Sequence, residues 1–294
     1  MMHKTQSSAS EKRSSETVTA TILLFAVVGL LLGVAAAAAP LEPLRAVYLH
    51  PAPFDDGRIT AEQRLNRIAE VLDYAGACGF TTLLPYGNTS GGRAYYPSHF
   101  LRPTGAADGD TLGLLAREAK ARGFHVMPAV CVLVSGHNAP EGILEEHLEW
   151  ALRKPSGEPM GWISPSHADA RAWVVGMMRE MVGHIRPSGV LLDYLRYPNE
   201  EVQLDPASAA AFDAAAPAGE TDAARKERLQ RFKEESLSTL AREISQALRE
   251  QQPDIRIALY TWGPHVPFNH PVSQRWPDWV RNRYIDMVNV SGYC

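Results

Sequence analysis

The feature that most constrains the fold is a unit that recurs along the chain: an amphipathic helix, a glycine, and then a short apolar strand. The unit occurs three times, with its glycine at Gly79, Gly123 and Gly189. Glycine can take the positive φ that ends a helix, so we expect each of the three to close a helix directly before a strand. Strands that alternate with helices in this way predict a parallel sheet covered by helices on its outside.

The strand pattern predicts an α/β fold of the (β/α)8 TIM-barrel type. Six strands are expected, at 45–50, 80–87, 124–134, from 189 onward, at 255–262 and at 285–293. No strand is followed by G-x-G-x-x-G or G-K-[ST], which disfavours a nucleotide-binding doubly wound fold. The strands end in aromatic and polar residues, as expected where strand C-termini form the active-site face of a barrel. A closed barrel needs eight strands, so we expect a barrel truncated after about six and a chain that is a fragment.

The first helix after the opening strand has a recognisable start. Thr60 and Gln63 have the spacing of a capping box, in which each residue's side chain bonds the backbone of the other. A later and longer helix is marked by apolar residues at helical spacing from Leu229 to Leu248. Both helices are expected on the outside of the sheet.

Residues 1–40 form a segment of their own, and residues 41–294 form the barrel domain, which we expect to be incomplete at its C-terminus. A basic start is followed by an uncharged apolar run at 17–39 that ends in alanines. A cleaved signal peptide explains the alanine-rich end and is favoured, whereas an uncleaved transmembrane anchor also explains the length. Either interpretation places the domain outside the cytoplasm, as a secreted, periplasmic or membrane-anchored protein.

Composition excludes several partners. The 29 Lys and Arg against 33 Asp and Glu give a net charge of −4 without a basic block, so no nucleic acid is expected. The ten histidines show neither H-x-H nor H-E-x-x-H, so neither a metal nor another cofactor is predicted. Three cysteines make no disulfide framework.

Asp193 is the strongest catalytic candidate. It ends the strand GVLLD, and period-two alternation places it on the same face as Leu191, towards the barrel axis. A carboxylate there needs a partner, and Arg196 is near enough in sequence to provide one. Tyr194 and Tyr197 offer flat surfaces that suit sugar rings. The alternative is an Asp–Arg pair that only fixes the turn after the strand.

Other strand ends supply candidate substrate-binding residues, for which ordinary barrel packing is the alternative: His50, Tyr86, Trp262 and Tyr293. His265 is placed to bond sugar hydroxyls in the same way, and Trp162 either lines the cleft or caps the third helix.

A second carboxylate is not evident. Glu200 and Glu201 lie in the loop after Pro198 and could reach the site, but adjacent glutamates in a loop are usually solvated. Asp55 and Asp56 are expected to form a turn, and Asp286 begins its strand at the wrong end. A strand beyond Cys294 is the remaining place for a partner of Asp193.

Residues 45–294 resemble the glycosyl hydrolase-like ten family of extracytoplasmic barrel proteins. The matching segments, in the family's order, are RAVYLH, GFTTLLPYGNTSGGRAYYPS, HLEWALRKPSGEPMGWISPSHADARAWV, GVLLDYLRYP and SQRWPDWVRNRYIDMVNVSGY. The resemblance implies a glycosidase barrel related to the amylase-like barrels, acting on polysaccharide, with bacterial cell-wall glycan strands as one known substrate class. Two positions depart from the family: Leu148 replaces a proline, and Arg275 replaces an acid.

Two functions follow from these observations. The first is a glycoside hydrolase with Asp193 as nucleophile or acid/base, since glycoside hydrolysis generally uses a pair of carboxyl groups. The second is a glycan-binding barrel that has lost catalysis. Its motivation is Arg275 together with the end of the fifth strand, which reads YTWGPH where barrel glycosidases of the amylase kind place a glutamate. A serine hydrolase ranks last because no G-x-S-x-G follows a strand.

Overall fold

A computed structural model of the chain describes residues 44–105, 109–262 and 269–291. The chain divides into two units after Leu44, and the account below concerns the second. The predicted leader or anchor at 1–40 lies outside the described residues, as do His265, Tyr293 and Cys294. Within the described ranges, no helix combines the length and apolarity that crossing a membrane would require.

The described residues form a parallel β-sheet with connecting helices. The strands, in chain order, are β1 (Ala46–Leu49), β2 (Thr82–Pro85), β3 (Arg93–Ala94), β4 (Arg102–Pro103), β5 (His125–Val126), β6 (Ala129–Cys131), β7 (Val134–His137), β8 (Ala151–Arg153), β9 (Pro159–Ile163), β10 (Gly189–Asp193), β11 (Arg256–Trp262) and β12 (Met287–Ser291). The helices are α1 (Ala61–Ala77), α2 (Thr111–Ala121), α3 (Ala168–Ile185), α4 (Pro206–Ala214), α5 (Asp222–Gln251) and α6 (Trp276–Arg281), with short 3-10 turns at Gly142–Glu145 and Leu148–Trp150.

All six predicted strands are present, and they pair in parallel. One ladder runs β1-β2-β5 and the other β6-β10-β11-β12, while a parallel bridge between Tyr86 and Ala129 joins the two. The third predicted strand is split into β5 and β6 at Pro128, which has no N–H to give to the ladder. The predicted α/β fold of barrel type is confirmed, with six barrel strands in the described part of the chain.

The two faces of the sheet pack differently. A small cluster of Leu84, Met127, Ala129, Leu191 and Ala258 fills the inner face. The alternate residues, which include Val190 and Leu192, belong to a larger cluster shared with the covering helices. Leu191 therefore lies inside the barrel, as period two predicts, and Asp193 follows it on the same face.

Glycine ends two of the three predicted helices, and the third prediction was wrong. Gly79 and Gly123 have φ values of +78° and +82°. Helix α3 instead ends at Ile185, where Arg186 takes the left-handed conformation at φ +45°. Gly189 lies inside β10, where an added Cβ would lie 2.5 Å from the Arg256 carbonyl oxygen. Glycine is needed there because the neighbouring strand β11 approaches closely.

The sequence did not predict a small antiparallel sheet between β6 and α3. Strands β7, β9 and β8 pair in that order across residues 134–163. The predicted capping box of α1 is confirmed, because Thr60 Oγ1 accepts from the Gln63 backbone at 3.1 Å and Gln63 Oε1 accepts from the Thr60 backbone at 2.9 Å.

Candidate active site

Asp193 ends β10 on the inner face of the barrel and is only 8% exposed. Its Oδ1 accepts a hydrogen bond from the Tyr194 backbone N–H at 2.8 Å. Its Oδ2 accepts only from the Tyr86 hydroxyl, at a long 3.5 Å, among the described residues. One oxygen is thus firmly held while the other is weakly bonded. A reacting group could exchange a proton with this second oxygen.

Burial raises the pKa of the Asp193 carboxyl above its ordinary value of 3.8. The Tyr194 N–H, the nearby charge of Arg196 and the Tyr86 hydroxyl each oppose the increase by favouring the charged form. A carboxyl that keeps its proton to higher pH is suited to general acid catalysis.

Asp193→Asn is expected to make the protein more stable at neutral pH. The folded state holds the Asp193 proton more tightly than the unfolded chain does. The contribution of this carboxyl to stability is therefore full below pH 3.8 and is lost as the pH rises through the folded pKa. In urea denaturation from pH 4 to pH 7, the free energy of unfolding of the variant should increase relative to that of the wild type as the pH rises. A stability advantage of the variant that decreases with rising pH would contradict this prediction.

Arg196 does not pair with Asp193, so the predicted ion pair was wrong. Its guanidinium lies among aromatic rings, 4.6 Å from the ring centroid of Trp262, 5.0 Å from that of Trp162 and 5.2 Å from that of Tyr194. Its one hydrogen bond within the described residues runs from Nη1 to the Tyr197 carbonyl at 3.1 Å. Trp162 lies on β9, so the antiparallel sheet brings a ring beside the strand ends.

Tyr194 contacts both the Asp193 carboxyl and the rings around Arg196, and it has an uncommon backbone conformation. Its φ of +54° lies in the left-handed region, which costs a non-glycine residue on the order of 1 kcal/mol. This conformation accompanies the bond from its N–H to Asp193, while its ring contacts the rings of His137 at 5.5 Å and Trp162 at 5.7 Å.

A second aromatic group lies at the ends of β1 and β2. Tyr48 and Tyr86 are stacked with ring centroids 5.9 Å apart, and the exposed ring of His50 lies 5.6 Å from Tyr86. Asn289 on β12 donates to the Tyr48 hydroxyl at 2.9 Å, so side chains of the first and sixth barrel strands meet. Sequence analysis missed Tyr48 and Asn289, although period-two alternation with the candidates His50 and Tyr293 would have placed both on the inner face.

Tyr197 does not belong to this site, which corrects its prediction as a binding residue. It is 1% exposed, and its hydroxyl bonds Ser166 Oγ at 3.0 Å. The ring has no free surface for a sugar in this structure. Trp262 and Tyr86 are half-buried beside Asp193 and Arg196, and Tyr293 lies outside the described residues.

The other acids considered from the sequence have structural partners or lie on the surface. Asp55 accepts from the hydroxyls of Thr104 and Thr111, and Asp56 pairs with Arg58. Asp286 holds Arg249 at 3.0 Å. Glu200 and Glu201 are exposed. Among the described residues, the groups that shift the pKa of Asp193 include no second carboxyl, and no cluster able to hold a metal ion occurs.

Arg275, which stands where the family that the sequence resembles has an acid, lies away from this site. Arg275 pairs with Asp278 at 2.5 Å and approaches Glu234 on α5 at 4.0 Å. The preceding Gln274 is buried and donates to the carbonyls of Leu195 at 3.1 Å and Tyr260 at 3.2 Å. Gln274 therefore ties the loop after β10 to β11, while the substituted side chain is on the helical exterior.

Tyr86→Phe is expected to shift the pH–rate profile of the site to higher pH at the inflection that Asp193 controls. The Tyr86 hydroxyl lowers the pKa of this carboxyl, so its removal lets burial raise that pKa further. The maximal rate should fall by less than about tenfold, because a 3.5 Å bond is weak. A pH–rate profile of both proteins provides the measurement. A shift to lower pH would contradict the proposed contact.

No protein-family model matches the chain, and no curated protein matches it either. Solved structures do. The PgaB (BpsB) glycoside hydrolase domain from Bordetella bronchiseptica superposes with a TM-score of 0.63 at 17% identity, over 84% of this chain and 73% of that one. A β-galactosidase from Marinomonas ef1 gives 0.59 at 13% identity over 84% and 40%. The α-L-fucosidase isoenzyme 2 of Paenibacillus thiaminolyticus gives 0.57 at 15% identity over 74% and 32%.

These likenesses establish the fold. The chain has the barrel fold found in glycoside hydrolases, and it spans about a third of the length of the fucosidase and two fifths of that of the β-galactosidase. The fold is therefore that of a (β/α) barrel like those of these glycoside hydrolases. Its assignment to the glycosyl hydrolase-like ten family stays a prediction.

Proposed function

We propose that the protein is a glycoside hydrolase acting on a polysaccharide, with Asp193 as a catalytic carboxylate. One observation carries the proposal: a buried carboxyl with a raised pKa and one weakly bonded oxygen lies at a strand end of a glycosidase-like barrel. Active sites of this fold lie at the C-terminal ends of the strands. Bacterial cell-wall glycan is the substrate class that the sequence resemblance favours.

The surrounding rings support a carbohydrate substrate. Tyr48 and Tyr86 present stacked rings on one side of Asp193, and Trp162, Tyr194 and Trp262 surround Arg196 near the same carboxyl. Aromatic rings pair an apolar face with a polar edge or tip, which suits sugar rings and their hydroxyls. In this arrangement, Asp193 Oδ2 would give its proton to the glycosidic oxygen or attack the anomeric carbon, depending on where the second carboxyl lies.

A glycan-binding barrel without catalysis is the second candidate. The observation that favours it is that, within the described part of the chain, no second carboxyl is among the groups that shift the pKa of Asp193. Its other motivation is weaker than the sequence implied, because Arg275 lies on the helical exterior. Binding with no turnover is the behaviour expected of such a protein.

One experiment separates the two candidates. The purified chain is incubated with peptide-free bacterial cell-wall glycan and with a neutral β-glucan, while new reducing ends and binding are both measured. A time-dependent increase in reducing ends supports the hydrolase. Binding with constant reducing ends supports the silent barrel. Neither binding nor turnover on any polysaccharide would contradict both.

We further propose that the domain works outside the cytoplasm. The support is the basic start and the apolar run before Pro40. Fractionation of the native host tests this, and recovery of the protein from the cytoplasmic fraction alone would overturn it.

A further inference from the structure

We infer that Arg196 is the receptor for a carboxylate carried by the glycan, so that the preferred substrate is an acidic polysaccharide. The inference rests on the proposed binding of glycan at this site and names the substrate class. It concerns recognition, and the charge of Arg196 has no assigned part in bond cleavage.

The first support is the way in which Arg196 is held. Rings from three separate segments surround its guanidinium: Trp162 on β9, Tyr194 after β10, and Trp262 at the end of β11. Ring faces attract a cation and help to hold it in place. Because an aromatic ring provides no oxygen acceptor, these contacts leave the N–H donors of the guanidinium available for a planar acceptor.

The second support is the unmatched charge. A guanidinium has five N–H donors, and the described residues provide one acceptor, the Tyr197 carbonyl. No carboxylate oxygen of the described residues lies within 4.0 Å of it, whereas Arg171 and Arg228 each have a glutamate partner. Burial lowers the pKa of Arg196, because the cation loses solvation. A buried cation with no carboxylate in direct contact is costly unless a ligand supplies one.

The third support is position. Asp193 and Arg196 each influence the pKa of the other, so the guanidinium is near the proposed catalytic carboxyl without touching it. A sugar bound at Asp193 would therefore bring a carboxylate substituent within reach of Arg196. Carboxylates and arginine form paired, parallel hydrogen bonds that neutral hydroxyls cannot reproduce.

Equilibrium binding to Asp193→Asn, in which turnover is prevented, tests the inference. Two carboxylated probes are used: peptide-free cell-wall glycan, whose carboxylate is a lactyl ether, and hyaluronan oligosaccharides, whose carboxylate belongs to a uronic acid. Each is compared with its carboxyl-reduced form. The protein is expected to prefer at least one carboxylated probe, and the preferred probe identifies the source of the carboxylate.

Adding Arg196→Gln should weaken binding of that carboxylated probe by about 10- to 100-fold, with less than about threefold change for its reduced form. Arg196→Lys should retain part of the preference. Arg231→Gln on α5, where Arg231 reaches Glu227 only at 3.7 Å, is the matched loss of one surface charge and should change nothing.

Three outcomes overturn the inference: equal binding of the carboxylated and reduced probes, an equal loss on both when Arg196 is replaced, or no binding of either. If Arg196→Gln fails to fold, the comparison of carboxylated with reduced probe decides, together with Arg196→Lys. The proposed hydrolysis fails separately, through constant reducing ends with the wild-type chain.

Discussion

Replacing Asp193 by Asn is expected to lower the rate of reducing-end release by about 10²- to 10⁴-fold, the range for loss of a positioned acid or base. Asparagine has the same shape, and its Oδ1 can still accept the Tyr194 N–H. The variant therefore keeps the local geometry while losing both the transferable proton and the negative charge. The change should fall on kcat, since an interaction made in the transition state is removed.

The matched controls are Glu200→Gln and Glu201→Gln. Both glutamates are exposed in the loop after β10, so each substitution makes the same acid-to-amide change outside the barrel interior. Their rates should stay within about twofold of the wild type, as for ordinary surface positions. Full activity in Asp193→Asn, or loss of activity in Glu201→Gln alone, would transfer the catalytic role away from Asp193.

The second large effect is expected at another buried carboxylate, Asp205. It is completely buried. Its Oδ2 accepts from Ser164 Oγ at 2.7 Å, and its Oδ1 caps α4 by accepting from the Ser208 backbone at 2.9 Å. Asp205→Ala leaves both donors buried without their acceptor and removes the cap. The free energy of unfolding should fall by about 2–4 kcal/mol.

Urea denaturation measures this loss. Asp205→Asn is the control, because its amide oxygen can keep one of the two bonds and should limit the loss to about half. An Asp205→Ala variant as stable as the wild type would show that these bonds contribute nothing net. The two carboxylates are expected to change the free energy of unfolding in opposite directions at neutral pH. Asp205, bonded through both oxygens, should stabilise the fold, whereas the raised pKa of Asp193 should make its charge destabilising.

Much of the fold was predictable because its signals are local. The helix-to-glycine junctions at Gly79 and Gly123, the capping box of α1 and the apolar runs each depend on residues close together in sequence. Gly189 is a position that such local signals do not explain. Its neighbours resemble a helix end, yet the reason for glycine is the Arg256 carbonyl on β11, which is distant in sequence.

The site was predicted only in part for the same reason. Alternation placed Asp193 on the inner face with Leu191, but it could not show that Arg196 lies among aromatic rings. Two of those rings, Trp162 and Trp262, come from other strands. Tyr197 has the same local pattern as Tyr194, yet it is buried and its hydroxyl bonds Ser166.

By itself, the sequence determined the order of strands and helices and the face to which Asp193 belongs, because hydrophobic periodicity and backbone preferences act over a few residues. The tertiary structure alone decided which side chains meet. It separated Asp193 from Arg196, placed the Tyr86 hydroxyl against Asp193 Oδ2, and joined Tyr48 to Asn289. Such contacts depend on strand register and close packing, which bring together residues that the sequence keeps far apart.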